Sequence, residues 1–489
     1  MQQAEGSVAK RPSGLEWRAS FWFTTVVVGS GIAIDLLVYS IIIPVIPFQL
    51  AALGHTNVSA MTGWLLFAFS GGVLSATIPI AHFSEKYNER RWLLIAGFVI
   101  LIGSMIMMME APNYAVMAVA RVLQGVGSAF VWTVGLALLA DATPEQAVGQ
   151  QLGFAMIGVP IGLTLGPPLG GALYTRFGFR APFVFGVSVA FLDLIGRLVI
   201  IERKDAIKWG FDPHVIASKA DTNANVKQID EKKDLEAIVE KPASPVPQLP
   251  PIQPSDSESS PAAQVTEEAV AVDQKPVKLS LHRSIKSLLQ SSRAVAAFVI
   301  SLLYGILLSS QEPSVPVHLN RVWGLNSGSV GLVFIGAILP TLIATPLAGY
   351  LTDKKGAEFI TAPFLFLGIP WAGILILQSH FPLFCTAYCI LSFFVSGVIS
   401  PVTAELAAVA RKTEGVGYAH VYSAYNMAYA IGTTIGPIVG GQMHDRLPNG
   451  WMAICLLAIS TLGAGSIIAF AFIGETPLLT RLNRAIRHT

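Results

Sequence analysis

Residues 158–171 read Gly158-Val-Pro-Ile-Gly162-Leu-Thr-Leu-Gly166-Pro167-Pro-Leu-Gly170-Gly171, and residues 432–441 read Gly432-Thr-Thr-Ile-Gly436-Pro437-Ile-Val-Gly440-Gly441. Glycines recur every four residues in both, which places them on one face of a helix. Small residues at that spacing let helix backbones approach closely in lipid, where packing rather than hydrophobicity drives association. A packing face accounts for one such helix. Two copies at corresponding places, each loosened by a Gly-Pro step, point to two related halves that rock against each other.

The surrounding chain is apolar enough to bear this out. Of 489 residues, 53% are apolar and only 13% are charged, so most of the surface must face lipid. A helix needs about 20 mainly apolar residues to cross the hydrocarbon. Such stretches fall near 21–49, 61–82, 92–110, 114–140, 150–174, 182–201, 293–318, 327–353, 359–380, 382–410, 418–443 and 450–473. The sequence therefore predicts an all-α membrane protein of twelve transmembrane helices in two six-helix halves, 21–201 and 293–473. An N-terminal tail (1–20), a linker (202–292) and a C-terminal tail (474–489) complete it. Residues 213–278, rich in Pro, Ser, Glu, Lys and Asp, cannot bury enough apolar surface to order themselves. Leu279–Leu289 spaces its apolar residues for a helix lying at the membrane surface, or simply continues into the seventh span. Basic residues such as Arg18, Lys86, Arg90, Arg91, Lys354, Lys355, Arg411 and Lys412 put the tails and the loops on their side in the cytoplasm. The polar start lacks the apolar core of a cleaved secretory signal. Cys385, Cys389 and Cys455 lie within apolar stretches with no disulfide or zinc spacing.

Two loops on the cytoplasmic side also correspond. Gly349-Tyr-Leu-Thr-Asp353-Lys354-Lys355-Gly356 follows the eighth span, and Pro79-Ile-Ala-His82-Phe-Ser-Glu85-Lys86-Tyr-Asn88-Glu-Arg90-Arg91 follows the second. Each sets an acid beside bases at a helix end. That is the composition of a charge latch, and equally of a solvated loop obeying the positive-inside rule.

On these residues the chain resembles the major facilitator superfamily, specifically its drug/proton antiporter branch, with vesicular amine transporters as near relatives and a fungal style of linker. The resemblance covers both halves. It rests on the run from Gly166 to Tyr174, on Ala120-Arg121-Val-Leu-Gln-Gly-Val-Gly-Ser-Ala129, on Asp35-Leu-Leu-Val-Tyr-Ser-Ile-Ile-Ile-Pro-Val-Ile-Pro47 and on Gln311-Glu312-Pro-Ser-Val-Pro316. It implies that the Gly-Pro run belongs to antiport, that Glu312 is a substrate-site acid and that Arg121 influences proton transfer. The loop signature is complete at Gly349, Asp353, Lys354 and Gly356; in the first half His82 and Asn88 replace glycines and Glu85 replaces the aspartate. Where the amine transporters carry an acid in the eleventh span and a lysine in the second, this chain has Asn426 and Ser70. Ser396 replaces a further acid in the tenth. Fewer fixed negative charges imply larger, more apolar or weakly cationic substrates.

A charge at membrane depth is costly, so each invites a functional account. Asp35, midway along the first span, is read as a titrating or cation-binding carboxylate, against a structural hydrogen-bond anchor. Helices one and seven occupy equivalent places in the halves, so Asp35 and Glu312 are expected to face a shared cavity. Arg121 is read as a coupling residue or as a guanidinium bonded to nearby carbonyls. Asp193 and Arg197, four apart, should neutralise each other. Glu405 is placed near the inner end of the tenth span. Tyr39, Trp132, Tyr304, Tyr422, Tyr425 and Tyr429 are cavity-lining candidates by stacking or cation–π contact.

The expected function is secondary active transport, as a proton-coupled antiporter exporting drugs, toxins or secondary metabolites. Uptake of an amine or nutrient by symport or facilitated diffusion, in a vacuolar or vesicular membrane, is the alternative. A non-transporting membrane sensor is the rival of another class. The sequence carries no nucleotide loop, metal-ligand cluster or nucleophile–base arrangement, so no enzyme, cofactor or metal is expected, and no nucleic acid. The expected partners are a small molecule, protons and the bilayer, and the expected state is a monomer in the plasma membrane.

Overall fold

The computed structural model describes residues 12–87, 90–144, 147–212, 287–412 and 418–488. The twelve spans are α1 (Phe21–Ser40), α2 (Val58–Tyr87), α3 (Arg90–Met109), α4 (Tyr114–Ala142), α5 (Gly158–Phe177), α6 (Arg180–Val199), α7 (Ser292–Gln311), α8 (Ser327–Lys355), α9 (Glu358–Ile374), α10 (Phe381–Ser396), α11 (Tyr418–Arg446) and α12 (Gly450–Phe472). Among the described residues, ten helical segments are long and apolar enough to cross a membrane. The other two are α9, apolar but only 17 residues long, and α11, which is 29 residues long but carries Tyr425, Asn426, Tyr429, Thr433 and Thr434. Helices are the expected element because lipid offers no partner for backbone N–H and C=O groups.

Prolines interrupt two spans at matching places. α1 ends at Ser40 and resumes as Ile46–Ala52 beyond Pro44; α7 ends at Gln311 and resumes as Val315–Trp323 beyond Pro313. A proline supplies no N–H and its ring crowds the preceding turn, which weakens the helix at both places, although Pro167 and Pro437 lie inside the continuous α5 and α11. Asp35 precedes Pro44 by nine residues, and the residue nine before Pro313 is Tyr304. Two serines fix the same register: Ser40 Oγ donates to the Gly162 carbonyl at 3.1 Å and Ser309 Oγ to the Gly432 carbonyl at 3.5 Å. Tyr304, not Glu312, is therefore the counterpart of Asp35. Helices one and seven correspond, but their acids lie eight residues apart in register, about 12 Å along a helix.

The glycine rows pack within their own halves. A methyl group on Gly158, Gly162, Gly166 or Gly170 would overlap α1, and one on Gly432, Gly436 or Gly440 would overlap α7. The second glycine of each Gly-Gly pair instead faces the other half: Gly171 meets Ser327 of α8, and Gly441 meets Ser59 of α2. The prolines in those rows lie against the same partners, Pro167 on Gly331 and Pro437 on Gly63.

These cross-half contacts lie toward the face of the bundle remote from the chain termini. Toward the terminal face the same helix pairs part. Eleven residues is close to three full turns, about 16 Å of rise, so Leu74 continues the line of Gly63 and Asn426 that of Pro437. Both are exposed, as are Leu342 of α8 and Met156, the last residue of the short helix Val148–Met156 that precedes α5. Exposed residues on both helix pairs therefore lie on the side of the termini.

At that side, residues 202–212, read from sequence as linker, begin with a helix, Arg203–Lys208. Ile201 and Ala206, with Trp209 and Phe211, pack on Leu15 and Ala19 of the N-terminal tail. In the C-terminal half, Glu405 of Ile399–Lys412, the continuation of α10, pairs with Arg293 at 2.6 Å and accepts from the Gly474 N–H at 3.0 Å. The C-terminal tail forms a helix, Leu478–His488, whose Arg481 pairs with Glu358 at 2.8 Å. The first eleven residues, Asn88, the linker 213–278 and the amphipathic stretch as far as Lys286 lie outside the described residues, as do the side chains of Glu85 and Tyr422.

Candidate functional site

The site is built along α1 because residues four apart share a helix face. Asp35 and Tyr39 therefore look the same way, toward the α4 face that carries Arg121, Ser128 and Trp132. Ser128 Oγ donates to Asp35 Oδ2 at 2.6 Å and Trp132 Nε1 donates to the same oxygen at 3.0 Å. The second oxygen, Oδ1, is buried with no partner among the described residues, although Asp35 is only 1% exposed. An unsatisfied buried acceptor is costly, so a proton or cation there would be held by the protein.

One turn further along, Tyr39 Oη donates to Glu312 Oε2 at 2.7 Å, joining the two halves. Glu312 sits in the break of α7 at Pro313, where the interrupted backbone leaves its side chain free to point inward. Arg121 completes this layer. Its guanidinium lies over the rings of Tyr39, 5.6 Å away, and Phe69, 5.0 Å away. It donates to Gln124 Oε1 at 2.7 Å and the Leu65 carbonyl at 3.3 Å, while Nη2 has no partner among the described residues. Arg121 and Glu312 bear on each other electrostatically. Arg121 is thus bonded to a backbone carbonyl and also stands beside the acid.

A third layer lies toward the termini. Arg197 and Asp193 form the expected pair at 2.7 Å, both side chains 2% exposed, and Ser30 Oγ donates to Asp193 Oδ1 at 2.5 Å. The Arg197 guanidinium lies 4.0 Å from the Phe98 ring centre, is within electrostatic reach of Asp35, and occupies the space beside Gly31. Along one side of α1 the order is Glu312–Tyr39–Arg121, then Asp35–Ser128–Trp132, then Arg197–Asp193–Ser30. Three carboxyl groups against two guanidiniums give this ladder one more acid than base.

The opposite wall is aromatic. Tyr304 lies 5.7 Å from Tyr429, centre to centre, with Ser396 in hydrogen-bonding reach of its hydroxyl. Tyr388 and Tyr429 both feel the charge of Glu312. Tyr425 is half-buried in the second-half core, and Asn426 is exposed on the α11 edge toward α2. Ser128, Gln124 and Tyr388 escape a reading of the sequence that looks for charges and, among the aromatics, singles out Tyr39, Trp132, Tyr304, Tyr422, Tyr425 and Tyr429. The signal for Ser128 was its place seven residues after Arg121 on the same helix face.

The two loop signatures differ: in the first half Arg90 pairs with Asp141 at 3.0 Å. Asp353 is exposed and makes no ion pair among the described residues, and Lys354 lies over the Tyr350 ring at 4.4 Å. Gly356 ends α8 at φ +97°, a conformation glycine alone adopts readily, and a side chain there would also crowd Glu358. Gly349 has only Ser400 nearby. A groove of about 410 Å³ on the flank of α2 and α4, lined by Trp64, Phe67, Gly71 and Tyr114 among others, lies away from the ladder.

Two six-helix halves closed on one face around a buried charge ladder have the architecture of a membrane transporter. The family profile of the Major Facilitator Superfamily matches residues 28–215 and 296–488, and the chain belongs to that family. It is 25% identical over 492 residues to the MFS-type transporter ppzB of Metarhizium rileyi, covering 95% of this chain and 97% of that one. It is 23% identical over 396 residues to the vesicular acetylcholine transporter of Rattus norvegicus, covering 79% of this chain and 61% of that protein. Among solved structures, a bacterial homologue of the human lysosomal transporter Spinster, in an inward-facing and unoccupied conformation, superposes with a TM-score of 0.62 at 13% identity. That match covers 94% of this chain and 95% of the other, and it shows the shared fold.

Proposed function

We propose that this protein is a proton-coupled antiporter that exports small amphipathic or weakly cationic compounds by alternating access, with both termini in the cytoplasm. The plasma membrane is the site most in keeping with export. The observation that carries the reading is Asp35: a buried carboxylate with one oxygen unpartnered, in a ladder holding one more acid than base. Either a proton or a cationic substrate balances that charge, and the two compete for one place, which is the requirement for exchange. The Glu312–Tyr39 bond bridges the halves, so a change in the charge of Glu312 acts on the contact that must break when the cavity reopens. Aromatic rings at Tyr304, Tyr429 and Trp132 offer stacking surfaces to a flat or cationic solute.

The reading is tested in proteoliposomes with an imposed pH gradient. Wild-type protein is expected to drive substrate against its gradient, and collapse of the pH difference should abolish accumulation. Asp35→Asn should abolish gradient-driven accumulation while leaving a folded protein. Accumulation by Asp35→Asn equal to wild type would refute the proposal.

A further inference from the structure

At the face remote from the termini, two contacts between the halves repeat each other residue for residue. Ser59 of α2 meets Gly441 of α11 as Ser327 of α8 meets Gly171 of α5. One residue further along the first helix, and four along the second, a hydrogen bond crosses the boundary. Ala60 N–H donates to Asp445 Oδ2 at 2.7 Å, and Gly328 N–H donates to Thr175 Oγ1 at 3.1 Å. Both donors lie in the first turn of their helix, where N–H groups have no partner within the helix.

Such groups are ordinarily satisfied by the side chain just before the helix, which bonds the second or third N–H. Asn326 does this for Ser329 of α8. For Ala60 and Gly328 the acceptor comes from the opposite half instead. Asp445 is 4% exposed and is steadied by His444, whose Nδ1 lies 2.9 Å from Ser59 Oγ. We infer that Asp445 and Thr175 are gate residues: each caps a helix of the other half, and together they form a twofold-repeated seal that holds this face of the transporter shut.

The seal breaks whenever α11 leaves α2 and α5 leaves α8, and the part-buried Ala60–Asp445 bond and the exposed Gly328–Thr175 bond then give way to water. The geometry calls for an acceptor, not a charge, which is why Thr175 serves on one side and Asp445 on the other. The inference rests on the alternating-access reading for its role in transport, but the closed state it describes can be measured without any substrate.

The test uses full-length protein in nanodiscs with the three native cysteines replaced. Spin labels at His55 and Leu447 span one contact, and labels at Phe177 and Arg321 span the other; all four positions are exposed. Asp445→Ala should raise the population of wide His55–Leu447 separations about fivefold, the shift that loss of one helix cap produces. Thr175→Val, which keeps shape and loses the acceptor, should do the same at Phe177–Arg321. Asp445→Asn and Thr175→Ser keep an acceptor and should stay near wild type. The inference falls if Thr175→Val, eluting and melting as a folded protein, keeps the narrow distribution. It falls equally if Asp445→Asn opens the face as far as Asp445→Ala, because charge and not capping then holds the seal. If the distances respond as expected while wild-type liposomes show no coupling to pH, the seal stands and the antiport reading fails.

Discussion

Asp35 and Glu312 differ in what surrounds them, and the difference sets what each substitution should do. Asp35 is held by two donors on a single oxygen, so Ser128→Ala removes a charge-assisted bond of about 1.5–3 kcal/mol. That loss loosens the hold on the carboxyl group, so Ser128→Ala should lower the initial rate of transport in liposomes; an unchanged rate would detach Ser128 from coupling. Glu312 instead depends on Tyr39. Tyr39→Phe leaves the ring beneath Arg121 but deletes the bond joining the halves, so turnover should change more than the stability of either half. Comparing exchange rate with melting temperature separates these effects. Arg121 explains why burying such acids is tolerated: a guanidinium shared between a carbonyl, an amide and two rings spreads its charge toward Glu312 without closing on it as a simple ion pair.

Among the helices, the glycine rows make the sharpest contrast. Gly440 of α11 lies against the Ser310 carbonyl, a backbone atom that cannot turn aside, whereas Gly463 of α12 has no atom within 4 Å of where a side chain would begin. Gly440→Ala should cost about 1–3 kcal/mol through overpacking, while Gly463→Ala should be neutral or stabilising by up to about 1 kcal/mol from helix propensity. Thermal unfolding in detergent distinguishes them, and equal melting temperatures would mean the close α7–α11 approach does not support the fold. The sequence made these rows visible because glycine at every fourth position has few other uses in an apolar segment. It also showed both Gly-Gly pairs. What it could not show was that their second glycines, Gly171 and Gly441, turn to the other half while the first ones stay within their own; that depends on which neighbour each edge of the helix meets. The register of the acids was in fact legible: Asp35 and Tyr304 each stand nine residues before a proline that is followed by another three residues on. Matching whole spans by order, instead of by these prolines, hid the offset of Glu312. The Asp353 signature was legible as a motif but not as a contact, since an exposed charge at a helix end looks the same whether or not its partner is in reach.

For the whole molecule, the two seals and the two divergences belong to a single arrangement. The helix pairs α2–α11 and α5–α8 touch where Gly63 meets Pro437 and Gly331 meets Pro167, and three turns nearer the termini both pairs present exposed residues to each other. A rigid helix that is in contact at one end and exposed at the other belongs to halves that are tilted, so the tilt is common to both pairs and the side of the termini is the expected approach to the buried ladder. Asn426 lies on that open path, on the edge of α11 facing α2. Asn426→Cys should therefore react quickly with a membrane-impermeant thiol reagent applied to the side of the termini, and slowly from the other. Cys385 and Cys389 are half-buried and Cys455 is buried, so the background is low. Opening the seal should reverse the preference: in Thr175→Val, labelling of Asn426→Cys from the terminal side should fall as the population tilts the other way, because one rigid-body motion closes the path at Asn426 as it opens the path at Asp445. Labelling that stays fast from the terminal side while the remote face opens would mean the halves move independently at their two ends, and the bundle would then be a channel during that interval instead of an exchanger.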